Sequence, residues 1–157
     1  MPTCVIETPI GYAEITGDQN GIDSIKVLDS TKTITENVPS ELVDCAMQLK
    51  AYFNNEIKQF DLTLNPKGTE FQKSVWKELQ NIPYGKTISY LELSKKLGDP
   101  KAIRAVASAN GKNPLWIIIP CHRVIGSDGS LTGYAGGLSR KQWLLNHESE
   151  YKQQSLF

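Results

Sequence analysis

The sequence predicts an α+β protein built in two parts, and three observations carry that prediction. Short β-prone runs crowd residues 3–29, whereas well-marked helix starts crowd residues 69–110. Charge divides along the same line. Residues 1–70 carry 5 Lys/Arg against 11 Asp/Glu, and residues 71–145 carry 11 against 4, although the 157-residue chain as a whole is neutral. A basic half beside an acidic half is the pattern of a polyanion-binding region sharing a chain with another unit; unevenly solvated faces would look the same.

In the first part, the runs CVIET, GYAEITGD and GIDSIKVLD read as strands, separated by Pro9-Ile10-Gly11 and by Asp18-Gln19-Asn20-Gly21. The Asn20-Gly21 pair is a hairpin signal. After a polar stretch, Ser40 is the expected N-cap of a helix with Leu42, Ala46, Leu49 and Phe53 on one face. Cys45 fits that helix as a small core residue. QFDLTL (59–64) alternates and reads as a further strand. Asn65-Pro66-Lys67-Gly68 is the expected linker, dividing the chain into domains 1–65 and 66–157.

In the second part, Thr69-x-x-Gln72 is a capping box opening a helix with Phe71, Val75, Trp76 and Leu79 inward. Ser89-x-x-Glu92 is a second box, for a short helix carrying Leu93 and Leu97 and stopped by Gly98. Asp99-Pro100 then restarts the chain as cap and first residue of a third helix, to about Asn110, with Ile103, Val106 and Ala107 on one side. Two short helices joined by a glycine turn form a helix-turn-helix pattern. The second helix offers Lys101 and Arg104 for contacts and the small Ala102, Ala105, Ala107 and Ala109 for close approach. With the basic balance, the pattern points to nucleic acid.

No apolar run approaches the roughly 20 residues that span a bilayer, and Met1-Pro2-Thr3-Cys4 lacks the layout of a secretion signal, so no membrane partner is expected and an intracellular place is. Cys4, Cys45 and Cys121 are odd in number and widely spaced, which argues against a disulfide framework.

The chemistry concentrates in IIIPCHRV (117–124). LWIIIP reads as a buried strand whose ladder ends at Pro120, leaving Cys121 at its edge. Three readings compete: an inert buried thiol, half of a metal site, or an activated nucleophile. Zinc needs four ligands in a recognisable rhythm, and only Cys121 and His122 are close in sequence. A nucleophile needs its thiolate, for which His122 is a candidate base and Arg123 a candidate positive charge. Neighbours on a strand point to opposite faces, so either the chain turns sharply after Pro120 or a water joins the pair. Glu148, on a helix expected to be capped by Ser139 and Gln142, is the candidate orienter of the base. Beyond lie a turn at Gly126–Gly129 and an open loop, Gly133-Tyr134-Ala135-Gly136-Gly137.

Three stretches together resemble the O6-alkylguanine-DNA alkyltransferases: GTEFQKSVWKELQNIPYGKTISYLELSKKLG, PKAIRAVASANGKNP and IPCHRVIGSDGSLTGYAGGLSRKQWLLNHE. The likeness runs from about Gly68 to Glu148. It implies a ribonuclease-H-like N-terminal domain and a winged-helix-like C-terminal domain. It further implies transfer of an alkyl group, mainly methyl, from O6-alkylguanine, and O4-alkylthymine, in duplex DNA to Cys121, once per molecule, after base flipping. By resemblance His122 takes the thiol proton through a water, Glu148 orients His122, Tyr90 helps the guanine leave, and Asn113 braces the loop. Arg104 fills the gap left by the base, Ala102, Ala105 and Lys101 meet the minor groove, and Tyr134, Ala135 and Gly136 line the pocket. Arg123 is read as structural. Tyr90 also fits an amphipathic surface, and Arg104 a solvated cation.

The resemblance implies no cofactor, a monomer, and a cytoplasmic protein, or a nuclear one in a eukaryote. The human member of the family binds zinc in its N-terminal domain; Cys4 lacks evident partners here, so no metal is expected. Trp116 stands where many members carry a smaller residue or proline. It is expected to narrow the pocket, so Trp116→Ala should raise the rate on benzyl relative to methyl adducts; an unchanged ratio would show it to be core only. Two rivals share these features: an alkyltransferase-like lesion binder, which would lack Cys121, and a winged-helix regulator using Cys121 as a sensor.

Overall fold

The first three β-prone runs form an antiparallel meander: β1 (Thr3–Thr8), β2 (Gly11–Asp18) and β3 (Gly21–Leu28), in that spatial order. The computed structural model describes residues 1–131, 134 and 136–149. Register places Cys4 opposite Ile15 and Ile15 opposite Ile25, so one buried row crosses the sheet. The register slips after Thr16, and a side chain at Gly17 would put its Cβ 2.7 Å from the Gly21 carbonyl oxygen. Helix α1 (Val43–Phe53) buries Cys45, Ala46, Leu49, Tyr52 and Phe53, the spacing of one helical face.

Two expectations for this part, and one for the run before Cys121, need correcting. Ser40 is not a helix cap: it opens a single 3-10 turn, Ser40–Leu42, after Pro39, and its hydroxyl bonds Glu41 instead. QFDLTL is not a strand. The Asp61 backbone is satisfied at both ends by the Gln48 amide, and only Leu64 bridges to Ile22. LWIIIP is not a strand either. Leu115 makes one parallel bridge to Ile25, through bonds from Ile25 N–H to the Pro114 carbonyl and from Trp116 N–H to the Ile25 carbonyl. The chain then turns at Ile117 (φ +71°), and Ile118 N–H reaches the Trp116 carbonyl at 2.8 Å. That is a γ-turn with a positive central φ, costly by about 1–3 kcal/mol at a β-branched residue. Ile117 is fully buried, and burying its side chain returns about 2–3 kcal/mol.

By its contacts the chain falls into two units, Met1–Lys67 with Pro114–Ile118, and Gly68–Asn113 with the chain from Ile119 onward. Trp116 therefore counts with the first unit, where its buried ring lies 6.2 Å from that of Phe53. Trp116→Ala is expected to lower stability by about 3–5 kcal/mol, measured by urea unfolding.

In the second unit the capping boxes of Thr69 and Ser89 both form, opening α2 (Glu70–Leu79) and α3 (Tyr90–Lys96). Gly98, at φ +90°, ends the turn after α3. Asp99 accepts from Lys101 N–H and caps a 3-10 turn, Pro100–Ala102, that runs into α4 (Ile103–Gly111). Trp76 ties α2 to α4 by donating its indole N–H to the Ala109 carbonyl at 2.8 Å. Phe71 and Ile103, expected inward, are 42% and 37% exposed. Each sits in the first turn of its helix, where periodicity cannot show how far the neighbouring helices reach.

Two elements complete this unit. A two-residue strand β4 (Ile88–Ser89) pairs in parallel with β5 (Val124–Ile125), which the sequence did not signal. Helix α5 (Leu138–Glu148) follows Gly137 (φ +92°), so Ser139 lies inside the first turn and is not its cap. Among the described residues no helix is long and apolar enough to cross a membrane.

Candidate active site

Everything at this site belongs to the second unit. Asn113 ends the turn after α4, and its Nδ2 donates to the Ile119 carbonyl at 2.7 Å and to the Cys121 Sγ at 3.3 Å. Pro120 (φ −82°, ψ 64°) is the centre of an inverse γ-turn closed by Cys121 N–H to the Ile119 carbonyl at 2.8 Å. Cys121–Arg123 then form one 3-10 turn. The sharp turn after Pro120 is thus present. At three residues per turn the three consecutive side chains point about 120° apart, each to its own partners.

All three are buried. The Cys121 carbonyl accepts from the Asn110 side chain at 3.4 Å, which holds the turn from the α4 side. His122, 0% exposed, shares a hydrogen bond of 2.7 Å between its Nε2 and Oε2 of Glu148, at the end of α5. Its Nδ1 is buried and makes no hydrogen bond to any of the described residues. Arg123 donates Nε–H to Glu148 Oε1 at 2.8 Å, Nη2–H to Oε2 at 3.0 Å and Nη1–H to the Ile82 carbonyl at 2.7 Å. Its guanidinium carbon lies 5.8 Å from the centre of the Tyr84 ring.

Burial acts on each group, and neighbours oppose it. Burial pushes the Cys121 thiol up, while the Asn113 hydrogen bond and the Lys141 charge pull it down. Burial lowers His122; Glu148 raises it, and the Arg123 and Lys141 charges lower it again. Burial would raise Glu148, but the hydrogen bonds from His122 and Arg123 and the Arg123 charge outweigh that and hold its carboxyl well below the usual range. The result is a carboxylate anion, a neutral imidazole and a thiol with a cation in its field.

Sequence reasoning missed Lys141. It is fully buried on α5, with its Nζ 5.9 Å from the centre of the Tyr90 ring. Lys141, Leu144 and Glu148 occupy one buried face of α5, and a lysine at an apolar position of a helix was the signal that could have found it. Tyr90, the first residue of α3, is half-buried. On α4 and the turn before it, Lys101, Arg104 and Ala105 are exposed and Ala102 is half-buried. The Tyr134 carbonyl accepts from Gly137 N–H at 3.0 Å, and that of Gly136 accepts from Arg140. Ala135 lies outside the described residues. No group of three or more His, Cys, Asp or Glu among the described residues is placed to hold a metal ion.

Residues 3–66 match the ribonuclease-like domain of 6-O-methylguanine DNA methyltransferase, and residues 70–150 match its DNA binding domain. The chain belongs to this family. A methylated-DNA–protein-cysteine methyltransferase of Methanosarcina acetivorans is 48% identical over 94% of this chain and 98% of its own length. One of Mycolicibacterium paratuberculosis is 45% identical over 96% and 94%. Among solved structures, Mycobacterium tuberculosis O6-methylguanine methyltransferase superposes with a TM-score of 0.84 at 43% identity, covering 94% of this chain and 92% of that one. The same organism's OGT in complex with DNA superposes at 0.82 and 45%, covering 92% and 90%. The family thus expected from the C-terminal motifs extends over both halves of the chain.

Proposed function

We propose that this protein repairs alkylated DNA by moving the alkyl group, mainly methyl, from O6 of guanine in a duplex to Cys121. The observation that carries the reading is a buried thiol in the field of Lys141, held by Asn113, beside a histidine whose far nitrogen is bound to a buried carboxylate. An inert core cysteine needs none of these neighbours, and the relatives named above transfer methyl groups to cysteine.

The bond changes follow from the groups present. The thiol proton goes to His122, whose Nδ1 is the acceptor, through a bridging water. Sulfur then attacks the alkyl carbon in line; an S–C bond forms and the O6–C bond breaks. Guanine leaves with its negative charge neutralised at the ring by the proton that Tyr90 donates. A thioether is no longer a nucleophile, so each molecule acts once and needs no cofactor.

The alkyl carbon reaches the buried Sγ when the base is flipped out of the stack. Arg104 fills the space left, and Lys101, Ala102 and Ala105 lie against the minor groove. Tyr134 and Gly136 line the pocket for the base. O4-alkylthymine presents an equivalent alkyl ether and is a second substrate. The protein works as a monomer where the DNA is, in the cytoplasm, or in the nucleus of a eukaryote.

Arg104→Ala tests the flipping arm. The single-turnover rate on a duplex carrying one O6-methylguanine should fall about 10- to 100-fold relative to the rate on free O6-methylguanine base. Equal losses on the two substrates would place Arg104 outside DNA recognition.

A further inference from the structure

Arg123 reads from sequence as a structural arginine, yet it does not bond backbone alone. Two of its three hydrogen bonds go to Glu148, the carboxylate that also holds His122. Between His122 Nε2 and Glu148 Oε2, 2.7 Å apart, one proton is shared, and its place decides the chemistry. If Glu148 carried it, Nε2 would accept, the neutral ring would bear its hydrogen on Nδ1, and nothing on His122 could take a proton from Cys121.

We propose that Arg123 is a positioning residue for the transfer reaction: by engaging both oxygens of Glu148 it keeps that group a carboxylate, fixes His122 as the neutral Nε2–H tautomer, and leaves Nδ1 as the proton acceptor. This rests on the reading of His122 as the base. An ionised carboxylate only accepts hydrogen bonds, so Nε2 must be the donor. The bidentate guanidinium makes that ionisation secure in a dry site, because a protonated carboxyl would leave the buried cation without its counter-charge. Two backbone-anchored features hold the fork still: the Nη1 bond to the Ile82 carbonyl and the Tyr84 ring beneath the guanidinium.

Arg123 also opposes over-stabilisation of the imidazolium. A Glu148 serving His122 alone would favour the protonated ring and spoil it as a base near neutral pH. Among the described residues, the charged and titratable groups around His122 are Glu148 and Lys141 from α5 and Arg123 and Cys121 from its own turn, while Tyr84, from the loop before β4, lies against Arg123. Of these only Glu148 favours the imidazolium when Cys121 is a neutral thiol, and Arg123 and Lys141 oppose it.

The test has two arms. In the wild-type protein, nitrogen-15 NMR of the imidazoles, assigned with His147→Gln, should show His122 protonated on Nε2 and bare on Nδ1 at about pH 7. An imidazolium, or the Nδ1–H tautomer, at that pH overturns the proposal whatever any variant does. In the second arm, Arg123→Met should move the acid limb of the pH–rate profile for methyl transfer to higher pH. The rate should be about tenfold lower at about pH 6 and converge with wild type at about pH 8.5. Arg123→Lys, which restores charge without the fork, should fall between them. A folded Met or Lys variant whose limb does not move would make Arg123 structural only. Failure of the underlying reading would look different: the wild-type protein itself would carry no methyl on Cys121.

Discussion

Glu148→Gln is expected to slow methyl transfer about 10²- to 10⁴-fold, the usual range for losing a positioned base. The glutamine amide has one acceptor oxygen where the carboxylate has two, and both are in use. If that oxygen stays with Arg123, the amide N–H₂ faces His122 Nε2 and selects the tautomer with hydrogen on Nδ1. The base is then turned the wrong way. If the oxygen stays with His122, Arg123 loses half of its fork and all of its counter-charge. Either way a buried cation is left uncompensated, which costs about 3–5 kcal/mol of stability. Rate should be read in single-turnover assays by intact mass, and stability by urea unfolding. A rate within a few-fold of wild type would remove Glu148 from the chemistry. Acid should act in the same direction as the substitution. The folded-state pKa values of His122 and Glu148 are both depressed, so the unfolded chain binds more protons. Stability should therefore fall as pH drops below the unfolded histidine's pKa, and fall further below that of the unfolded carboxyl.

Lys141→Met should separate activity from stability. The ammonium is fully buried, and its charge is one of the influences that lower the Cys121 thiol against the upward push of burial. Burial in turn lowers Lys141 itself, and a Cys121 thiolate raises it, so each group favours the charged form of the other. Methionine has similar length, fills the same space and carries no desolvation cost. Alkylation of Cys121 by iodoacetamide at about pH 7 should slow about tenfold, with its pH profile shifted upward, because the thiolate is the reactive form. Methyl transfer should slow with it, while the urea midpoint holds or rises. A slower reaction with an unmoved thiol profile would assign Lys141 to Tyr90, whose ring it faces, rather than to the thiol.

Much of this was legible in the sequence, and the failures share a cause. Helix starts were readable wherever the cap is a local bargain between residues three apart, as at Thr69 with Gln72 and Ser89 with Glu92. The same pattern misled at Ser139, because Gly137 can adopt a positive φ and begin the helix earlier. The isoleucines before Pro120 show the limit most clearly. A run of buried β-branched residues looks the same whether the chain is a strand or a pair of γ-turns, since periodicity reports burial and not direction. At the site, Cys121, His122 and Glu148, which the structure brings together, were named before any geometry. Buried Lys141 and the two bonds of Arg123 to Glu148 were not, because they depend on which groups the fold brings together.

The central claim is that Cys121 is the acceptor, and intact mass tests it most directly. The protein should be mixed with a slight excess of duplex DNA carrying one O6-methylguanine, and then weighed and digested. The predicted result is one methyl group per molecule, located on the peptide containing Cys121, with the guanine restored and no gain in Cys121→Ser. A wild-type protein that binds the duplex without gaining mass, or that carries the methyl on another residue, would contradict it.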